Sequence, residues 1–351
     1  MARALAANGR HLAPTSLAVL AALLFGASTP LSKWLLGAVG PFALAGLLYL
    51  GAAALVTPAL VAGKRREFRL PGDTANRLRL LGSVVFGGAL GPVLLLLGLR
   101  SAPAASVSIW LNLETVATAV IASALFHEHL GRRAWLANGG VFLAGALLSL
   151  GGWSGLYPAL FVAAACLAWG VDNNLTALID GITPATVTFW KGLLAGTANL
   201  LIGFAVGESV TPVVGLESLL LGGLAYGGSI TLYITAAQRL GAARSQMLFA
   251  SAPFFGLALS LLLLREPLTP WQAVAALILL GSWRLLFSEE HSHVHTHQPL
   301  THVHAHEHSD LHHGHEAPEL ARHSALHQHT SLVHRHPHWP DLHHRHEHEE
   351  R

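Results

Sequence analysis

The first 288 residues are a succession of long apolar runs with few charges inside them. The runs lie near 15–36, 41–62, 79–99, 103–126, 133–151, 155–177, 183–205, 216–237, 244–264 and 270–287. A helix needs about 20 apolar residues to cross the hydrocarbon core. Lipid offers the peptide group no hydrogen bond, so a spanning run must satisfy its own backbone, and a helix does that within one segment. The fold class that follows is an all-α integral membrane protein with ten transmembrane helices. Composition agrees, since the whole chain is 52% hydrophobic and 11% charged, against about 25% charged in an ordinary soluble domain. The single cysteine, Cys166, excludes a disulfide framework and reads as a small buried hydrophobe.

The runs fall into two similar halves. Phe25-Gly26-Ala27-Ser28-Thr29-Pro30 in the first run is matched by Trp169-Gly170-Val171-Asp172-Asn173-Asn174 in the sixth, 144 residues on. Leu81-Gly82 through Phe86-Gly87-Gly88 returns as Leu221-Gly222 through Tyr226-Gly227-Gly228, 140 residues on. The turn Phe126-His127-Glu128-His129 returns as Leu264-Arg265-Glu266-Pro267, 138 residues on. A slowly drifting offset is what duplication followed by small insertions and deletions leaves. It also argues, with the nine further runs, against reading the first run as a cleaved signal peptide, because its glycine-containing segment recurs in mid-chain.

Lysine and arginine set the orientation. With a cytoplasmic N-terminus, inside segments carry Arg3, Arg10, Lys64, Arg65, Arg66, Arg69, Arg77, Arg79, Arg132, Arg133, Arg239, Arg244 and Arg284. Outside segments carry Arg100 and Arg265. Ten spans return the C-terminus to the cytoplasm. Five spans per half is odd, so the halves insert in opposite directions, the inverted-repeat construction of many secondary transporters. The expected organisation is a cytoplasmic N-terminus (1–14), two five-helix repeats (15–151 and 152–288) and a polar tail (289–351).

These repeated residues resemble the drug/metabolite transporter superfamily, in its ten-span form with two EamA-type halves. The resemblance rests on Phe25-Gly26 and Trp169-Gly170, on Glu128 and Glu266 after each fourth helix, and on Pro253 in Ala252-Pro253-Phe254. Gly140, Gly145 and Gly281 in the fifth helices complete it. It covers residues 15–288, and Ala168 to Thr176 resembles one EamA subgroup in particular. Two features depart from the pattern. Asn112-Leu113-Glu114 stands in the first half where Pro253 stands in the second, and the tail has no counterpart. The resemblance implies an inner-membrane carrier of a small organic solute that works by alternating access and requires no cofactor.

Four ionisable residues fall well inside the spans: Lys33, Glu114, Asp172 and Lys191. A charge at the bilayer centre costs roughly 2.5 to above 10 kcal/mol, so it faces a cavity, pairs, or acts. Two acids and two bases admit complete pairing as well as function. Glu114 is the sharpest candidate for substrate or coupling work. A desolvated carboxylate exchanges a proton near neutral pH and attracts cations, and helical spacing puts Trp110 and Thr118 on its face. Asp172-Asn173-Asn174 is a polar triplet in an apolar helix, either a locally distorted site or the inner end of the sixth span. Asp172 shares a face with Thr176 and lies three residues after Trp169. Lys191 either snorkels, pairs with Asp172, or contacts substrate. Lys33 reads as an anchor at the outer end of the first span. Asn112 joins this candidate set beside Glu114. The dense glycines read as close helix packing.

All of the 24 histidines except His11, His127 and His129 lie in the tail. His291, His293, His295, His297, His302, His304, His306, His308, His343, His344, His346 and His348 form its densest clusters. Low aromatic content and high polarity predict disorder. Closely spaced imidazoles bind Ni²⁺, Zn²⁺, Co²⁺ or Cu²⁺; a solubilising tail and a pH-responsive tail are the other readings. The leading functional expectation is a secondary transporter, an exporter of an organic metabolite or drug, with the tail as regulator. A divalent-metal transporter and a membrane-anchored metal buffer are the alternatives. The spans carry no nucleophile–base pair and no phosphate loop, so an enzyme is not expected. The expected partners are the lipid bilayer, the solute and a coupling proton or ion. A homodimer is compatible with the sequence, and nothing in it points to nucleic acid.

Overall fold

In the computed structural model of the protein, residues 2–62, 68–126, 132–151, 156–179, 181–240, 248–287, 291–297, 300–306, 323–329 and 332–338 are described. Residues up to Ser288 form a helical unit. It contains α1 (Ala2–Leu35), α2 (Pro41–Ala62), α3 (Thr74–Gly82), α4 (Gly91–Ser101), α5 (Ala104–Trp110), α6 (Leu113–Phe126) and α7 (Arg132–Gly151). These are followed by α8 (Leu156–Ala177), α9 (Pro184–Ala205), α10 (Pro212–Gly222), α11 (Ser229–Leu240), α12 (Ala252–Leu263) and α13 (Pro270–Phe287).

Among the described residues, seven segments are long and apolar enough to cross a membrane: Thr15–Leu35, Pro41–Ala62, Thr74–Ser101, Ala104–Ala124, Leu156–Ala177, Pro184–Ala205 and Pro212–Tyr233. The runs expected at 133–151 and 270–287 are the helices α7 and α13. The run expected at 244–264 contains the shorter apolar helix α12.

Local chemistry starts these helices. Thr183 and Thr211 each accept a backbone N–H of the first turn, and each is followed by proline at the first helical position. Proline lacks the N–H that would be orphaned there and is already set at a helical φ. Asp73 caps α3 in the same way.

Four of the expected spans are not regular. The third runs from α3 through a π-helical segment, Ser83–Leu90, into α4; the eighth runs from α10 through a second one, Gly223–Gly228, into α11. These are the two halves of the repeated glycine pattern. The fourth span breaks after Trp110, turns at Leu111 and Asn112, and resumes as α6. The ninth turns at Ala250 and Ser251 before α12. Such interruptions are tolerated at membrane depth where protein or cavity satisfies the freed backbone.

Helices of the two repeats pack on each other: α2 along α9, α6 on α8, α1 on α12 and α11, and α7 on α13. Small residues make this close. A Cβ on Gly170 of α8 would lie 3.0 Å from the backbone of Ala117 and Thr118 on α6. One on Gly26 of α1 would overlap the Ala252 carbonyl on α12. Each repeat's first helix thus abuts the broken span of the other repeat, which is why Phe25-Gly26 and Trp169-Gly170 recur. Leu44, Leu48, Leu96, Leu99, Val107 and Val162 are fully enclosed, whereas Leu160, Leu201, Leu262 and Leu277 stand exposed on the periphery, as suits a bundle whose solvent is lipid.

Residues 289–339 form a separate unit. Strand β1 (His291–His297) pairs antiparallel with β4 (Leu332–His338), and β2 (Leu300–His306) with β3 (His323–His329). The tail is expected to be disordered; over these residues the chain is extended and paired. Histidine alternates there with residues such as Val294, Thr296 and Val303, and a period of two with β-branched residues favours extended chain. His308, His343, His344, His346 and His348 lie outside the described residues, as do His127, Glu128 and His129.

Candidate substrate and coupling site

The expected intramembrane residues converge where α6, α8, α9 and the first π-helical segment meet. Lys191 of α9 donates to both Asp172 oxygens of α8, at 2.8 and 2.7 Å. The Ser83 hydroxyl donates to Asp172 Oδ1 at 2.6 Å and the Thr176 hydroxyl at 3.0 Å. Both ions are largely buried, at 15% and 9% side-chain exposure. Of the readings open for Lys191, pairing with Asp172 is the one observed. The carboxylate is fully engaged, as a buried charge requires.

Glu114 is differently placed. It lies in the first turn of α6, its own N–H bonded to the Leu111 carbonyl across the break. Its Oε1 accepts the Asn173 side-chain amide at 2.9 Å, and the same amide donates to Thr118 Oγ1 at 3.1 Å. Glu114 is half-buried and Asn173 exposed. On α8, Asn173 lies nearly opposite the exposed stripe of Tyr157, Phe161 and Leu167. Its exposed amide therefore opens on the interior of the bundle rather than on lipid.

Asn112 is buried in the break and donates to the Ile109 carbonyl at 3.1 Å. One expectation fails here, and one of two open readings is set aside. Trp110 does not share Glu114's face, because the break between them removes the helical register. Its indole N–H instead donates to the Gly145 carbonyl of α7, and the side chain is fully buried. The polar triplet does not distort its helix, since α8 runs unbroken to Ala177. Asn174 donates to the Gly170 and Thr118 carbonyls, at 2.8 and 3.2 Å, so the triplet is absorbed by bonds to α6, α9 and α8 itself.

The irregularity lies in the π-helical segment instead, and the glycine pattern was its visible signal. A π turn bonds i to i−5, as Gly91 N–H does to the Phe86 carbonyl, and frees other carbonyls to accept side chains. The Gly87 carbonyl accepts the Tyr49 hydroxyl at 2.6 Å and the Trp169 indole N–H at 3.0 Å. Asn199 donates to the Ala89 carbonyl at 3.2 Å. Tyr49, Ser83 and Asn199 were not expected site residues; each is a polar group isolated in an apolar run. A Cβ on Gly87 would overlap the Asp172 carboxylate, so only glycine lets the ion pair approach this backbone. Beside it, Tyr49 and Phe25 pack their rings on Tyr226, with centroids 5.5 and 5.7 Å away, and Phe249 packs on Phe25 at 5.4 Å.

One end of the bundle is tied by charge. Glu208, after α9, accepts the Ala43 N–H at 2.7 Å and the Phe42 N–H at 3.4 Å at the start of α2. Glu266, after α12, accepts the Ala104 and Ala105 N–H groups, both at 2.8 Å, at the start of α5. Both carboxylates come from the second repeat and meet the positive end of a first-repeat helix. Lys33 donates to the Leu99, Arg100 and Ala102 carbonyls at 2.7, 3.1 and 3.0 Å, capping the end of α4 rather than only anchoring at the membrane surface.

The duplicated fold with its interrupted spans matches a known family twice, over residues 13–150 and 156–288. The chain belongs to the EamA-like transporter family. This EamA-like chain is accordingly a multi-pass membrane transporter. A curated relative from Methanothermobacter thermautotrophicus, described as an uncharacterized transporter, is 23% identical over 290 residues, covering 77% of this chain and 84% of its own. A solved crystal structure that is 19% identical superposes with a TM-score of 0.58 over 79% of this chain and 97% of its own, a likeness of fold.

Proposed function

We propose that the protein is a secondary carrier that exports a small organic metabolite or drug across the inner membrane by alternating access, with ten spans and both termini cytoplasmic. The observation that carries this reading is Glu114, a half-buried carboxylate in the broken fourth span, held by a neutral amide and opening on the bundle interior. A carboxylate so placed meets a coupling proton or the solute, and broken helices at the repeat interface are where carriers place such groups. The asymmetry of lysine and arginine supports assigning the end closed by Glu208 and Glu266 to the periplasmic side. The test is uptake into inverted membrane vesicles from a broad metabolite panel, driven by an imposed proton gradient. Wild-type protein accumulates at least one solute, and Glu114→Gln, equally abundant in the membrane, does not. Equal accumulation by the variant removes Glu114 from the mechanism.

We propose in addition that the tail binds a divalent transition metal and regulates the carrier. The strand register supports this by setting His291, His293 and His295 opposite His338, His336 and His334. Neutral imidazoles there would supply the ligands. Metal titration of full-length protein against a truncation after Ser288 tests it; the truncation is expected to keep transport and lose metal response.

A further inference from the structure

Resting on the carrier reading, we propose that the solute is an organic monocation, an ammonium on an apolar or aromatic body, and that Glu114 is its counter-ion. The argument is one of charge compensation among the described residues. Asp172 is neutralised by Lys191 and further held by two hydroxyls, so it offers no free charge to a ligand. Lys33 is spent on three backbone carbonyls. Glu114 has only a neutral amide bound to its carboxylate. The polar centre of the bundle therefore carries one negative charge without a counter-ion, at a depth where an unbalanced charge is costly.

The direction of that imbalance selects the ligand. A cation entering from the interior meets a carboxylate oriented by Asn173 and flanked by the Thr118 hydroxyl. Tyr49 and Tyr226, both buried, pack with Phe25 and Phe249 in a ring cluster that lends the interior an aromatic, apolar character. An anion gains nothing comparable, and a zwitterion pairs its ammonium but brings a carboxylate that no free cation of the described spans meets. An anion's carboxylate would face Glu114 while both lysines of the spans are already engaged, and removing Lys191 from Asp172 would expose a second buried negative charge.

The test uses full-length purified protein and four near-isosteric probes: 2-phenylethylammonium, 3-phenylpropionate, zwitterionic phenylalanine and 2-phenylethanol. Binding is measured by calorimetry to wild type, Glu114→Gln and Glu114→Asp, with thermal unfolding of each protein confirming the fold. The ammonium is expected to bind about ten-fold or more tightly than the other three, the range of one charge-assisted hydrogen bond. Glu114→Gln should lose that preference and Glu114→Asp should keep part of it. Equal or tighter binding of the anion, the zwitterion or the alcohol overturns the proposal. So does a cation preference unchanged in Glu114→Gln, or binding of none of the four probes. Transport by the vesicle panel separates the two readings: accumulation of a neutral or anionic solute keeps the carrier and sinks the cation.

Discussion

The fourth and ninth spans break at equivalent residues and in the same way, yet one break carries a carboxylate and the other a proline. Asn112 and Ser251 each donate their backbone N–H three residues back, to Ile109 and Leu248 respectively. Each also spends its side chain on that same carbonyl, at 3.1 and 2.5 Å. Thr115 and Phe254 repeat the correspondence one turn later, bonding to the Asn112 and Ser251 carbonyls. Between them stand Glu114 in the first repeat and Pro253 in the second. Proline enforces the break by removing a donor and fixing φ. In the first repeat the turn bonds alone hold the break, which frees the position for a charged side chain. Duplication preserved the backbone, and the chemistry then diverged upon it.

The sharpest way to break this asymmetry is at the ion pair, which has no counterpart in the first repeat. Lys191→Met leaves Asp172 buried without its cation and is expected to cost about 3–5 kcal/mol. The double variant Lys191→Met/Asp172→Asn should recover most of that loss, read as the melting temperature in detergent. Failure of the double variant to recover would mean that the pair itself, rather than charge balance, holds α8 to α9.

The glycine contacts test how symmetric the packing is. Gly26→Val and Gly170→Val both force a side chain against the other repeat's broken span, and each is expected to cost about 1–3 kcal/mol. Clearly unequal costs would show that the two crossings are not equivalent. The breaks themselves are probed next. Asn112→Ala and Ser251→Ala each remove one bond to a carbonyl, about 1 kcal/mol apiece. Glu114→Pro writes the second break into the first; it loses the N–H bond to Leu111 at similar cost and should fold while abolishing transport.

A smaller effect is expected at the charge-tied end. Glu208→Gln and Glu266→Gln weaken matched helix-end interactions by about 0.3–1 kcal/mol each. Both should raise labelling of cysteines introduced beside Ala43 and Ala104. The smallest effect separates two caps. Asp73 caps α3 and Thr211 caps α10. The Asn76 backbone and side-chain N–H groups hold the Asp73 carboxyl below its usual range. A lowered carboxylate adds stability above its ordinary value and loses it as pH falls through the folded value. Acidification should therefore speed amide exchange in the first turn of α3 and not of α10, and Asp73→Thr should erase the difference.

Much of the site was legible residue by residue. Glu114, Asp172 and Lys191 stand out because charge in an apolar run is expensive wherever the helix is rotated. Trp110 misled because spacing was counted through a break whose cause, turn bonds at Asn112, leaves a weaker mark than a proline. Glu266 was visible as a repeated turn residue, but its partner, the start of α5, lies 162 residues away. Tyr49 and Ser83 gave no signal beyond a single polar atom, since their role depends on carbonyls freed by a π turn in another span.

By itself the sequence determined the helical membrane character, the two repeats and the positions of the intramembrane charges. Those follow from local demands: lipid requires each segment to satisfy its own backbone, and duplication writes its period directly into the chain. Only the tertiary structure decided that Asp172 is neutralised while Glu114 is not, and which helix ends are capped by which carboxylates. Those outcomes depend on how each helix is rotated and where it crosses its neighbours, which small residues on sequence-distant helices settle together.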